Sequence, residues 1–212
     1  MSIRAGRSLL ALTSGCGIAA ALYFGITAIR EGQATPAVSA APIDVRSISG
    51  SRFYYPATGF PIMTLPGGRS ETIKSVLNVK QKMRYGESLW DDKDVPQGPV
   101  WIRVDLTHQL ISVFRAGHEI GTAVVLYGAA DKESPAGTFP ILQKAEDYHS
   151  RTYDAPMPFM LRLTEDGVAI HGSDVRPGAA THGCIGVPTE FARQLFSQVK
   201  TGDPVAILKP AV

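Results

Sequence analysis

The sequence predicts a mainly β fold. The expected architecture is a β-sandwich or partly closed barrel with one or two short helices, preceded by an N-terminal transmembrane helix. Three observations carry this expectation. Val100, Ile102, Val104 and Leu106 alternate with Trp101, Arg103 and Asp105, the period-2 pattern of a half-buried strand. Similar short segments recur as far as Leu208, separated by turn residues, with one convincing helical stretch among them. Arg4 and Arg7 precede an uncharged run, Ser8 to Ile29, whose 22 residues span about 33 Å as a helix, against a bilayer core of roughly 30 Å.

The N-terminal run comes first in the chain. A cleaved signal sequence has a shorter apolar stretch, about 7–15 residues. Length therefore favours an uncleaved anchor over cleavage near Val38-Ser39-Ala40. The preceding arginines favour a cytoplasmic N-terminus and an exported remainder. Cys16 reads as a small apolar residue of that helix, because Thr13-Ser14-Gly15 lacks the aliphatic residue of a lipoprotein signal. Residues 1–30 are thus an anchor or signal sequence, and the Ala-, Ser- and Pro-rich residues 31–50 a linker.

Residues 51–97 read as an accessory or cap segment. Residues 51–69 are irregular, with a turn at Gly67-Gly68. Ile73, Val76, Leu77 and Lys80 suggest a short amphipathic helix within Glu71–Met83. Trp90 and the acidic group Asp91-Asp92-Lys93-Asp94 end at Pro96 and Pro99.

The main domain spans residues 98–209. Strands are expected at Val100–Leu106, Gln109–Arg115, His118–Tyr127, Thr138–Leu142, Phe159–Leu163 and Val168–Ile170, with Asp147–Tyr153 as a loop. Thr189 is placed to cap a helix Glu190–Val199 that buries Phe191, Leu195 and Val199. Thr201-Gly202-Asp203-Pro204 turns into a last strand, Val205–Leu208.

Composition narrows the function. The net charge of +2, with Lys and Arg scattered, argues against nucleic acid as a partner. The exported part holds a single cysteine, Cys184, so no intrachain disulfide forms there. Such a thiol is either buried and inert or reactive. Its surroundings, Ile170–Pro188 (IHGSDVRPGAATHGCIGVP), are small, polar and rich in glycine, and carry His171 and His182. A thiol with an imidazole base is the minimum equipment for nucleophilic acyl transfer. Position alone leaves open which histidine is the base. His108 and His118 read as solvated, and His149 borders the cleft from its loop. A zinc site of His171, His182 and Cys184 is disfavoured: H-x10-H-x-C fits no compact ligand spacing and no HExxH helix accompanies it.

Thr181-His182-Gly183-Cys184-Ile185, preceded by Ile170-His171-Gly172, resembles the active-site motif of the L,D-transpeptidase catalytic domain (YkuD type). Val100–Arg115, Ser134-Pro135-Ala136-Gly137-Thr138-Phe139 and Ala155-Pro156-Met157-Pro158-Phe159 resemble further parts of that domain, over about residues 98–209. The resemblance implies a β fold of that type and a periplasmic cysteine acyltransferase without cofactor or metal. Cys184 would form the thioester. His171 would be the base, oriented by a backbone carbonyl such as that of Gly172, and His182, Gly183 and Cys184 would surround the oxyanion. Thr181, Arg176, Met157 and Tyr153 would meet the substrate. Partners would be peptidoglycan stem peptides, joined as 3–3 cross-links in cell wall biogenesis, with carbapenem-type β-lactams as inhibitors and the inner membrane held through residues 8–29. A stem carboxypeptidase or hydrolase is the alternative within enzymes, and a non-catalytic wall-binding domain the alternative outside them. Two positions depart from many members: Thr181 stands for Ser, and Gly186 for an arginine two residues after the cysteine. Arg162, Arg176 and Arg193 are the candidate replacements for that guanidinium.

Overall fold

The computed structural model describes residues 48–49, 51–128 and 132–209. The run Ser8–Ile29, Cys16 and nearly all of the linker lie outside them. Among the described residues, no helix is long and apolar enough to cross a membrane.

The described chain holds fifteen strands and one helix. In order they are β1 (Ile48–Ser49), β2 (Arg52–Tyr54), β3 (Ile62–Thr64), β4 (Ser70–Thr72), β5 (Ser75–Leu77), β6 (Ser88–Trp90), β7 (Val100–Asp105), β8 (Leu110–Arg115), β9 (His118–Val124), β10 (Gly137–Pro140), β11 (Gln143–Ser150), β12 (Ala155–Arg162), β13 (Ala169–Ser173), β14 (Ile185–Pro188), α1 (Thr189–Gln198) and β15 (Pro204–Leu208). The large sheet runs β1-β2-β5-β9-β8-β7-β15-β10, with β6 also paired to β9. A four-stranded sheet runs β11-β12-β13-β14, and β3-β4 form a separate hairpin. Neither larger sheet closes on itself, so the fold is mainly β but not a barrel.

The main core lies where the two sheets and α1 meet. Ile102, Val104, Ile111, Val113 and Ile120 of the large sheet join Leu161, Ile170, Ile185 and Val187 of the smaller one. Phe191 and Leu195 of α1 are fully buried among them. Each such side chain contributes about 1.5–3 kcal/mol by leaving water. The α1 end is fastened by Lys144, whose ammonium donates to the carbonyls of Phe196 (2.6 Å) and Val199 (2.5 Å). A cation there also complements the helix dipole.

Several expectations are corrected. Ile73–Lys80 is no helix: β4 and β5 replace it, because β5 finds partners in β2 and β9 that a helix would forfeit. The end of the linker is β1, hydrogen-bonded to β2. Of the expected loop Asp147–Tyr153, residues 147–150 belong to strand β11, paired along β12 from Gln143↔Arg162 to Ser150↔Ala155, and residues 151–154 form the turn between them. Pro188 rather than Thr189 stands at the helix N-cap, with no side-chain cap bond. His118 is half-buried and hydrogen-bonded to Ser75, not solvated.

The outer face of β7 and β8 is covered too. Trp101 stacks on Phe114 at 4.2 Å and 7°, and both are buried with Leu65 and Ala206 under Met63, Ile73 and Val76. The segment before residue 98 therefore extends the large sheet and roofs its second face. Two buried arginines tie it down. Arg52 donates to the carbonyls of Glu119 and Asp91 and to Ser75 Oγ. Arg115 donates to the carbonyls of Asp92 (3.1 Å) and Val95 (2.9 Å) and to Gln198 Oε1 (2.6 Å). The acidic group 91–94 is thereby part of the packing.

Candidate active site

Parallel pairing of β13 with β14 sets His171 opposite Gly186 and Ile170 opposite Ile185. Cys184 lies in the bend just before β14, two residues from Gly186.

The loop before β14 is fixed at several points. The Cys184 carbonyl accepts from Thr181 Oγ1 (2.5 Å) and from Ser134 Oγ (3.5 Å), and Ser134 Oγ accepts from the Gly128 N–H (2.9 Å). Leu126 and Gly186 exchange both backbone bonds, at 2.8 and 2.9 Å. Gly183 has a φ of 97°, a left-handed conformation that a side chain would strain. At Gly186 the constraint is space. A Cβ there would lie 3.0 Å from Ser173 Cβ and 3.2 Å from its hydroxyl. Position 186 thus faces Ser173.

His171 Nδ1 lies 2.9 Å from the Gly172 carbonyl oxygen. A carbonyl only accepts, so Nδ1 carries the proton and Nε2 keeps its lone pair. Gly172 is held close: a Cβ on it would lie 3.0 Å from Pro158 Cγ and 3.2 Å from Thr189. Burial pushes the His171 pKa down, partly offset by the bond to Gly172. The imidazole is therefore neutral and basic at neutral pH.

Cys184 is half-buried against Met157, Met160 and Ala169. Burial pushes its pKa up; the Ala169 backbone N–H and the Lys132 ammonium act against that, and Asp166 adds to it. The resting group is a neutral thiol, donating to the Gly167 carbonyl at 3.8 Å. Among the described residues no hydrogen bond joins it to His171, so a rotation of the thiol precedes proton transfer.

Both side chains line one cavity of about 190 Å³, with Ser150, Tyr153, Met157, Ser173, Thr181 and His182 in its wall. His182 is exposed and stacks on Tyr153 at 4.5 Å and 13°. Arg176 is not among the lining residues and pairs with Asp174 at 3.0 Å. His149, on β11 and largely exposed, lies 3.7 Å from Asp154 and outside the lining. Among the described residues no three His, Cys, Asp or Glu side chains are grouped to hold a metal ion. Ser134, Ser173 and Lys132 are the contributors that sequence reasoning passed over. Ser134 had a signal, since it opens the Ser-Pro-Ala-Gly turn. The other two belong to no motif.

Comparison with known proteins gives one family. The model of the L,D-transpeptidase catalytic domain (YkuD) matches residues 99–207 of the 212. No curated protein matches the chain. Similar solved structures include a mutant of the L,D-transpeptidase from Enterococcus faecium, at 26% identity, with 53% of this chain and 50% of that one covered and a TM-score of 0.48. The L,D-transpeptidase from Stackebrandtia nassauensis is 24% identical, with 55% and 60% covered and a TM-score of 0.49. L,D-transpeptidase 3 from Mycobacterium tuberculosis, in complex with a faropenem-derived adduct, is 19% identical, with 52% and 60% covered and a TM-score of 0.46. The chain spans between half and three-fifths of the length of these proteins.

Proposed function

The chain belongs to the L,D-transpeptidase catalytic domain family, and from that premise we propose that it is a peptidoglycan L,D-transpeptidase working through a Cys184 thioester. One arrangement carries the reading: a neutral imidazole on β13 and a thiol in the bend before β14, both lining one cavity.

The proton and electron steps follow from the two groups. His171 Nε2 takes the Cys184 proton as the sulfur attacks the carbonyl carbon of a stem peptide. The negative charge moves to the carbonyl oxygen, which the backbone N–H groups of Gly183 and Cys184 stabilise beside His182. Collapse of the tetrahedral species breaks the C–N bond. His171 returns its proton to the departing amine, and a D-amino acid leaves. The thioester then passes its acyl group to the amine of a second stem, making a 3–3 cross-link and restoring the thiol. The Gly172 carbonyl fills the place a carboxylate takes in many His-based sites, fixing the tautomer and the ring.

The uncharged run Ser8–Ile29 supplies export and anchoring in this account, with the site facing the periplasm and the cell wall. The test supplies purified tetrapeptide with and without an amine acceptor and reads product masses. A cross-linked dimer formed only with acceptor, and absent from Cys184→Ala, supports a transpeptidase. Tripeptide alone under both conditions assigns a hydrolase instead.

A further inference from the structure

Among the described residues, the cavity lining holds no Lys or Arg side chain, so a cation that serves it stands outside that lining. The arginines are occupied elsewhere. Arg162 donates to the carbonyls of Thr164 and Glu165, Arg176 pairs with Asp174, and Arg193 holds Glu190 through two bonds. Lys144 is committed to the helix end.

Lys132 differs from all of these. Its stem lies along the loop that carries the thiol: a Cβ on Gly183 would sit 3.4 Å from Lys132 Cγ and 3.5 Å from Cε. Its ammonium stands 6.0 Å from the Tyr153 ring centroid, and Tyr153 stacks on His182 in the cavity wall. Among the described residues no carboxylate forms an ion pair with Lys132. Its neighbour Glu133 is taken by Lys209 at 2.5 Å. Asp166, beyond the thiol, accepts from Thr164 Oγ1. An ammonium with no carboxylate partner among the described residues, 6.0 Å from the ring of a cavity-wall tyrosine, is a receptor for an anion.

We propose that Lys132 is a specificity-determining residue that binds a free carboxylate of the acyl donor, beside the scissile carbonyl. The inference rests on the acyl-transfer reading and narrows its substrate to anionic peptides. The carboxylate belongs either to the residue that leaves or to the side chain of the acyl residue. Both present the same chemistry to the ammonium.

The experiment uses the full chain and three synthetic stem peptides: one with both carboxylates free, one with the leaving residue's carboxylate as carboxamide, and one with the acyl side-chain carboxylate as carboxamide. Thioester formation is followed by intact mass, with kcat and KM from amino acid release. The wild type is expected to lose about tenfold in kcat/KM on one of the two amides, mostly through KM. Lys132→Met should abolish that preference while handling the discriminated amide as the wild type does, and Lys132→Arg should keep the preference. A wild type indifferent to both amides overturns the proposal, as does a Lys132→Met variant that keeps the preference or slows equally on all donors. The last result would make Lys132 a tuner of the thiol, which a matching fall in iodoacetamide alkylation would reveal. A wild type that acylates on no donor removes the acyl-transfer reading itself, and this inference falls with it.

Discussion

Ser75 with His118, and Cys184 with His171, each place a nucleophile-bearing side chain near an imidazole, and the second pair lines a cavity. In the segment before residue 98, Ser75 Oγ lies 2.9 Å from His118 Nδ1, a shorter bond than the one made by the Cys184 thiol. Ser75 is 0% exposed, and its oxygen also accepts from buried Arg52. At the other site, His171 spends its Nδ1 proton on a backbone carbonyl and leaves Nε2 free, while Cys184 faces a cavity. Burial lowers the pKa of both histidines. The difference lies in what is satisfied. Ser75 Oγ is tied to the frame by Arg52 and His118, as buried polar groups must be for stability. The site keeps one lone pair and one thiol available to a substrate. Short distance between a hydroxyl and an imidazole is therefore a packing fact, and access makes it chemistry.

That contrast is broken or sharpened by substitution. The largest effect is expected from His171→Ala, which should slow thioester formation about 10²–10⁴-fold with an unchanged melting curve. His118→Ala should leave acylation within about twofold while lowering stability. Equal losses of acylation would erase the distinction between the two sites. Next, Arg52→Ala removes the donor to Ser75, Glu119 and Asp91. It should cost about 3–5 kcal/mol in urea unfolding without altering the native rate of Cys184 alkylation. A change of that rate under folding conditions would show that the two regions are coupled.

A smaller effect belongs to the face shared by Gly186 and Ser173. Gly186→Ala should cost about 1–3 kcal/mol by overpacking, and Ser173→Gly in the same chain should recover most of it. Without that rescue, the Cβ contact at 3.0 Å is not what excludes a side chain there. The smallest effect is on pH. Acylation needs neutral His171, whose pKa lies below the ordinary imidazole value. Activity should therefore persist as pH falls past about 6.5 and fail only below it. Iodoacetamide alkylation of Cys184 should rise above the ordinary thiol range, since burial raises that pKa. An acid limb above 6.5 would contradict His171 as the base.

The strands of the large sheet were legible where their alternation met a core on one side. β7 was readable from Val100, Ile102 and Val104, although Trp101 on the opposite face is also buried. β11 was not readable, because QKAEDYHS is largely exposed and owes its form to the ladder with β12 rather than to an apolar period. Ile73, Val76, Leu77 and Lys80 happen to fit a helical spacing, and tertiary pairing overrode it. At the site, Cys184 and His171 stood out because cysteine and histidine are scarce in this chain. The partner of His171 Nδ1 is a backbone carbonyl, that of Gly172, which no side-chain pattern marks. Ser173 and Lys132 were illegible, since serine and lysine are common and their proximity to Cys184 arises only when β13, β14 and the loop before β10 come together.

The most direct test of the account is the intact mass of the protein after exposure to a carbapenem or to the tetrapeptide donor. The account predicts a single covalent adduct on the wild type, an adduct that hydroxylamine removes as a thioester, and an unmodified mass for Cys184→Ala under the same conditions. An unmodified wild type, or an adduct that survives in Cys184→Ala, would contradict it.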